Sequence, residues 1–139
     1  MTGITDLDAL LAGMEPLLGE TLYVFVSLPE ATYGEGATLT PLGCFHEPEG
    51  LTLMVPQAKA DAAGLKYDGV YRAITLKVHS SLSAVGLTAA VAAALAEYGI
   101  GANVVAAFYH DHVFVPMDQA DKALKALENL QQGAVKKTS

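Results

Sequence analysis

Two stretches of this chain, sixty residues apart, repeat the same order of residue types. Residues 53–63 read LMVPQAKADAA, and residues 113–123 read VFVPMDQADKA. Each has two apolar residues, Val-Pro, three further residues, then Ala-Asp, one variable residue and Ala. Pro56 and Pro116 each follow an apolar run, so each stretch is predicted to lead from a strand into a helix. A duplicated unit therefore constrains the fold more than any other feature.

The residue patterns around the repeat predict similar units. The second copy is predicted as strand 71–78, helix 84–98, strand 102–109, strand 112–115 and helix 118–131. The first copy is predicted as strand 22–28, a glycine-rich loop in place of a helix, strand 43–46, strand 51–55 and helix 57–63. Both follow the β-α-β-β-α order of the ferredoxin-like plan. The predicted fold is α+β, with two halves that share antiparallel sheet and carry helices on one face.

The predicted halves are residues 1–66 and 67–132, followed by a flexible tail, residues 133–139. An N-terminal helix, residues 5–14 with Thr5 as its cap, is expected to fill the gap left by the missing helix of the first copy. The second copy has no closing strand of its own, so the two halves are expected to complete one another's sheets.

Composition excludes several classes of function. Hydrophobic residues make up 52% and charged residues 17% of the 139-residue chain, which suits a globular core. The net charge of −7 argues against nucleic acid and anionic membranes as partners. The most apolar run, residues 84–96, is shorter than the roughly 20 residues that span a bilayer. The single cysteine, Cys44, allows no internal disulfide and suits the cytoplasm, and we expect it to be an inert thiol.

The sequence His110-Asp111-His112 raises the question of metal binding or acid–base catalysis. Histidines two apart on a strand share one face, so His110 and His112 could act together. His46 follows an aromatic residue, as His110 does, and we therefore interpret it as the equivalent of His110 in the first copy. Zinc needs at least a third protein ligand, and no metal-binding motif is present. A polar hairpin tip explains the cluster without a metal, because Asp tolerates turn geometry and can bond its own backbone. We therefore predict no metal, no cofactor and no catalytic residue.

Residues 86–100, GLTAAVAAALAEYGI, resemble the helix signature of ACT domains. Gly86 opens the helix, Val91 and Leu95 follow, and Gly99-Ile100 end it. The resemblance extends through NVVAAFYHDHVFVP to tandem ACT proteins that include animal cytosolic arginine sensors and small bacterial proteins. It implies a regulatory module that binds an amino acid or another small ligand, usually at a domain or subunit interface, and a homodimer. The family often has Asp-x-Pro before the helix glycine, where this chain has residues 83–85, Ser-Ala-Val.

The start of this helix is the predicted ligand site. Its first N–H groups lack helical partners, and the helix dipole is positive there, so they can hold a carboxylate. Gly86 is expected to let a ligand approach the backbone. Ser83 is also a candidate helix cap. The predicted ligand-binding residues are Ser80, Ser81, Ser83, Val85, Gly86 and Leu87, with Ala102, Asn103 and Val104 as the opposite wall.

The function predicted from sequence is a non-catalytic regulatory protein that binds an amino acid. Two alternatives stay open. One is a protein-interaction module with a vestigial ligand site, and the other is a metal protein or enzyme that uses His110 and His112.

Overall fold

The structure is a computed structural model that describes residues 6–138. Its elements, in chain order, are α1 (Leu7–Ala12), β1 (Pro16–Leu18), β2 (Tyr23–Leu28), β3 (Gly43–Glu47), β4 (Gly50–Pro56), α2 (Gln57–Ala62), β5 (Tyr71–Leu76), α3 (Leu87–Ala96), β6 (Asn103–Ala106), β7 (Asp111–Pro116) and α4 (Ala120–Thr138). Short 3-10 helices occupy Ala37–Leu39 and Met117–Gln119. The α+β prediction with antiparallel strand pairing is confirmed.

Contacts group the chain into two compact units. Of the described residues, the larger unit contains 6–20 and 72–138, and the smaller unit contains 21–71. The N-terminal helix and strand therefore group with the C-terminal part of the chain, although the sequence analysis assigned them to the first half.

In the larger unit, β7 lies between β5 and β6, and β1 pairs with β5 in antiparallel register, Leu17 opposite Thr75. Helices α1, α3 and α4 pack with these strands in one core, which includes Leu10, Met14 and Leu95. The sequence analysis missed β1, because three residues beside a proline are too few to show alternation. This strand provides β5 with a partner that the second copy of the repeat does not encode.

The smaller unit contains β3, β4 and β2 in that spatial order, both pairs antiparallel. Its own core gathers Val24, Val26, Leu53 and Val55 around Ala60 of α2. The expectation that the N-terminal helix fills this copy's missing-helix gap is wrong. Residues of α1 belong to the core of the larger unit because Leu10, Leu11 and Met14 are buried there.

The two hairpins share one register with an offset of sixty. Cys44 pairs with Leu53, and Val104 pairs with Val113. Residues 51–56 and 111–116 also have the same order of buried and half-buried positions. Pro56 and Pro116 have nearly the same backbone angles where each strand turns into the following helical segment. These matches support duplication of one unit.

The shared register corrects the assignment of His46 as the equivalent of His110. His46 pairs with Leu51, and the matching pair in the second hairpin is Ala106 with Asp111. His110 instead takes the position of Gly50. The reason is that both hairpins have the same length, so that Phe108 and Tyr109 form the second tip, whereas Asp111 and His112 belong to β7.

Several helix ends differ from the sequence prediction. Thr5 lies outside the described residues, and Asp6 caps α1 by accepting a hydrogen bond from the Ala9 N–H at 2.9 Å. Helix α4 begins at Ala120, two residues later than predicted, because a 3-10 turn, Met117–Gln119, leads into it. Helix α4 runs on to Thr138, through the stretch assigned to a flexible tail, and Ala134 is buried in the core. Among the described residues, every helix is too short or too polar to cross a bilayer.

Candidate functional site

Helix α3 begins at Leu87, three residues later than the sequence predicts, because of the backbone at Gly86. Gly86 has φ +101°, outside the helical region, and it is the N-cap without any side-chain cap. The first helical backbone bond runs from the Ala90 N–H to the Gly86 carbonyl. The N–H groups before Ala90 therefore have no partner within the helix. Leu87, Val91 and Leu95, spaced by four, hold the helix on the core.

A cleft of about 140 Å³ opens beside this helix start. Four of the predicted ligand residues line it: Ser80, Ser81, Gly86 and Leu87. Five further residues complete the lining: Leu82, Ala84, Thr88, Ala106 and Asp111. The structure thus brings together the serine-rich turn, the helix start and the tip-proximal ends of β6 and β7.

Ser83 and Val85 are not part of the lining. The Ser83 N–H donates to the Ser81 hydroxyl at 3.1 Å, a local turn contact, so the predicted helix-cap role of Ser83 is wrong. The Val85 side chain is 82% exposed and points away from the core.

Ala102, Asn103 and Val104 lie at the other end of β6. Ala102 and Val104 pack against the core, and the Asn103 side-chain amide donates to the Phe114 carbonyl at 3.5 Å. The end of β6, at Ala106, forms the cleft wall instead. The predicted opposite wall, residues 102–104, is therefore not part of this cleft.

The glycine at position 86 has a structural reason as well. A Cβ built on Gly86 would lie 3.1 Å from the Leu7 side chain of α1. Together with the positive φ, this contact requires glycine for packing and backbone geometry. Close approach of a ligand was the reason given from sequence, and the structure provides a different one.

Asp111 lines the cleft but was not among the predicted ligand-binding residues. Its side chain is only 8% exposed, and it is the buried charged residue of the described core. Burial raises the pKa of its carboxyl above the ordinary value, and the neighbouring charges of His112 and His110 oppose that rise. Starting β7 one residue earlier would have revealed it, since Val113 and Val115 face inward and strand alternation places Asp111 with them.

Asp111 has no side-chain hydrogen-bond partner among the described residues and lines the cleft. Among residues 6–138, no side-chain hydrogen bond to it is found, and no fully buried side-chain oxygen or nitrogen lacks a partner. The Asp111 oxygens therefore reach solvent, and Asp111 lines the cleft. The cleft is thus lined both by Asp111, whose carboxylate attracts a cation, and by the start of α3, whose unpartnered N–H groups attract an anion.

The two histidines beside Asp111 contact the neighbouring strand and the turn after it. His112 Nδ1 lies 3.0 Å from the Thr75 hydroxyl, and His110 Nδ1 lies 3.4 Å from the Val78 carbonyl. Burial, followed by the charge of His110, lowers the pKa of His112, while Asp111 opposes the shift. Within the described part of the chain, no three His, Cys, Asp or Glu side chains converge on one possible metal position.

Exposed apolar side chains lie on the turn and the hairpin tip that adjoin the cleft-lining segments. Leu82 is exposed on the turn before α3, and Phe108 and Tyr109 are exposed at the hairpin tip. The Tyr109 ring lies 5.2 Å from the ring of His79, which precedes Ser80 of the cleft. We call Leu82, Phe108 and Tyr109 the apolar rim.

Comparison with known proteins identifies the family. ACT domain models match residues 2–72 and residues 69–129. A Vibrio cholerae protein of unknown function, described as a possible transport protein, is 46% identical, with a TM-score of 0.83 over 94% of this chain and 99% of its own. No curated protein matches the chain.

More distant solved structures share the fold. A protein from Agrobacterium tumefaciens is 18% identical, with a TM-score of 0.69 over 84% of this chain and 87% of its own. The regulatory subunit of aspartate kinase from Thermus flavus is 14% identical, with a TM-score of 0.60 over 83% of this chain and 95% of its own. ACT domains are regulatory, typically bind amino acids and often dimerise. The chain belongs to the ACT domain family and consists of two ACT domains in tandem.

Proposed function

We propose that this protein is a non-catalytic regulator that binds an amino acid in the cleft at the start of α3. The observation that carries the proposal is the shared cleft of Asp111 and the free N–H groups after Gly86. An α-amino acid carries its ammonium and its carboxylate on the same α-carbon. The Asp111 carboxylate would accept from the ammonium, and the helix N–H groups would donate to the carboxylate.

Asp111 would supply the acid that the loop before Gly86 lacks. The family pattern often has Asp two residues before the position of Val85, where this chain has Ser83. Asp111 reaches the same helix start from β7 instead of from the preceding loop. The ligand ammonium therefore has a partner in this chain despite the departure from the loop pattern.

The size of the cleft favours the amino and carboxyl groups over a large side chain. Its volume of about 140 Å³ is below the roughly 300–1,000 Å³ of typical small-molecule pockets. The ligand side chain would extend over the apolar rim. We propose that a second copy of the chain covers that rim in a homodimer, so that the ligand stabilises the assembled state by mass action.

A regulatory role without catalysis fits the environment of the histidines. The ring nitrogens of His110 and His112 lie near Val78 and Thr75, and neither histidine is itself part of the cleft lining. The single, unpaired Cys44 fits the proposed cytoplasmic location.

A thermal-shift screen of the common amino acids tests the proposal. At a ligand concentration of about 100 times Kd, mass action predicts about 2.7 kcal/mol of added stability, a large rise in Tm. Asp111→Asn should abolish the rise, because an amide cannot neutralise an ammonium. Asp68→Asn, at an exposed position of the smaller unit, should retain it. A flat screen at millimolar ligand, or an unchanged response in Asp111→Asn, would contradict the proposal.

The exposed apolar rim favours a second candidate function, a protein-interaction module. Leu82 is 70% exposed and Phe108 is 68% exposed, which is unusual for large apolar side chains beside a cleft. Size-exclusion chromatography with light scattering separates the candidates. An interaction module would form a stable dimer that no amino acid alters, whereas the leading proposal requires the assembly to respond to the ligand.

A further inference from the structure

The smaller unit contains a second cavity, of about 440 Å³, beneath the loop that replaces the missing helix. Its lining includes Leu51 and Leu53 of β4, Cys44 of β3, and Tyr33 and Ala37 of the loop. None of these residues belongs to the cleft of the larger unit. The volume lies within the roughly 300–1,000 Å³ range of small-molecule sites.

The cavity follows from the imperfect repeat. In the larger unit, Leu87, Val91 and Leu95 of α3 are buried in the core that also contains Val113, the equivalent of Leu53. In the smaller unit the corresponding chain segment is a loop with one 3-10 turn, Ala37–Leu39. A loop has fewer inward side chains than a helix of that length, so space is left above the strands.

The loop backbone is held close to the strand floor by glycine. Gly36 is buried, and a Cβ at this position would overlap the Leu53 side chain. A Cβ on Gly43 would lie 2.7 Å from the end of the Met54 side chain. The loop backbone at Gly36 therefore lies directly against the Leu53 side chain, whereas the pair of Gly43 and Met54 faces the other side of the strands.

We propose that this cavity binds a small, uncharged aromatic molecule. The register gives the chemical reason: Leu51 takes the position that Asp111 has in the other hairpin, so an apolar side chain replaces the carboxylate that would hold an ammonium. A ligand with a charged amino group would lose hydration without gaining a partner there. Leu51 and Leu53 form the apolar floor, and Tyr33, 84% exposed, is free to close over a bound ring. The inference does not depend on the proposed amino-acid site.

Cys44 provides a direct measurement, because it lines the cavity and is the single cysteine of the chain. The experiment measures the rate of Cys44 alkylation by iodoacetamide with increasing indole. At an indole concentration of about twice Kd, mass action predicts about threefold slower alkylation. L-Tryptophan has the same ring with a charged head group. It should need at least a tenfold higher concentration than indole for the same protection, the difference expected from about 1.4 kcal/mol of uncompensated desolvation.

Two variants place the effect in the cavity. Ala37→Leu adds volume inside the lining and should remove the protection by indole. Thr38→Leu makes a similar apolar addition at the next exposed position, outside the lining, and should keep it. Circular dichroism and urea unfolding verify that both variants are folded.

The proposal is overturned if indole leaves the alkylation rate unchanged up to its solubility limit, or if Ala37→Leu is protected as well as Thr38→Leu. Equal protection by L-tryptophan would also overturn it, since the apolar lining would then not select against charge. Loss of amino-acid binding in Asp111→Asn with intact indole protection would show that the two sites are separate.

Discussion

Leu51 and Asp111 occupy the same position in two hairpins of one register: Leu51 pairs with His46, and Asp111 pairs with Ala106. Leu51 is 1% exposed and contributes to a core, whereas Asp111 is 8% exposed and borders a cleft. One copy of the repeat thus uses the position for packing, and the other copy has a charge there that packing alone disfavours. A buried acid that opposes stability is a common mark of a functional site.

Asp111→Asn should stabilise the ligand-free protein at neutral pH by about 1 kcal/mol, the scale of relieving one unfavourable buried group. Burial raises the pKa of Asp111 in the folded state, so its stabilising contribution is present at acidic pH and is lost as pH rises through the folded pKa. The advantage of the variant should therefore vanish towards pH 3. Urea unfolding of both proteins from pH 3 to pH 7 measures it.

The control for this prediction is Asp68→Asn, which removes an exposed carboxylate. Its stability should follow the wild type within about 0.5 kcal/mol at every pH, as for most surface changes. A variant Asp111→Asn that is less stable than the wild type at pH 7 would mean that the carboxylate has a stabilising partner, contrary to the structure.

His112 should make the protein sensitive to mild acid. Burial lowers its pKa in the folded state, so the stability it contributes is present above its ordinary pKa of 6.5 and is lost as pH falls below that value. His112→Gln, which can keep a hydrogen bond to Thr75, should flatten the loss of stability from pH 6.5 towards pH 5. The measurement is Tm as a function of pH. The control is His46→Gln, at an exposed position, which should lose Tm between pH 6.5 and pH 5 as the wild type does.

Gly86→Ala should destabilise the larger unit by about 1–3 kcal/mol, because φ is +101° and the new Cβ would lie 3.1 Å from Leu7. In the double variant, Leu7→Ala removes the steric contact with the new Cβ but leaves the backbone strain at residue 86. The losses of stability in the two single variants should therefore not add up to the loss in the double variant. Gly101→Ala is the matched control, since its added Cβ meets no atom within 4 Å. Urea unfolding of the four variants gives the coupling. Additive losses would contradict a direct contact between Leu7 and residue 86.

The sequence was sufficient for the duplication, the α+β class and most elements, because Val-Pro junctions and alternating strands are local signals. It was insufficient for β1, since residues 16–18 become a strand only by pairing with β5. For the site, the serine turn and Gly86 could be located from capping chemistry. Asp111 could not be located in this way. A shift of one residue in the start of β7 decides whether this residue belongs to the strand beside the cleft or to the turn.

The N-terminal segment should be as important for the larger unit as the helices encoded after residue 72. Met14 is fully buried in that core. The Lys77 N–H donates to the Met14 carbonyl at 2.8 Å, and β1 follows directly. Met14→Ala should therefore cost about 2–5 kcal/mol, the usual range for removing a large core side chain, and Leu95→Ala in α3 should cost a similar amount. Leu17→Ala, in the same segment but 57% exposed, should change stability by less than about 1 kcal/mol.

Chemical denaturation followed by circular dichroism compares the three variants. A Met14→Ala protein as stable as Leu17→Ala would mean that the first twenty residues are an appendage, because the core of the larger unit would then be complete without them.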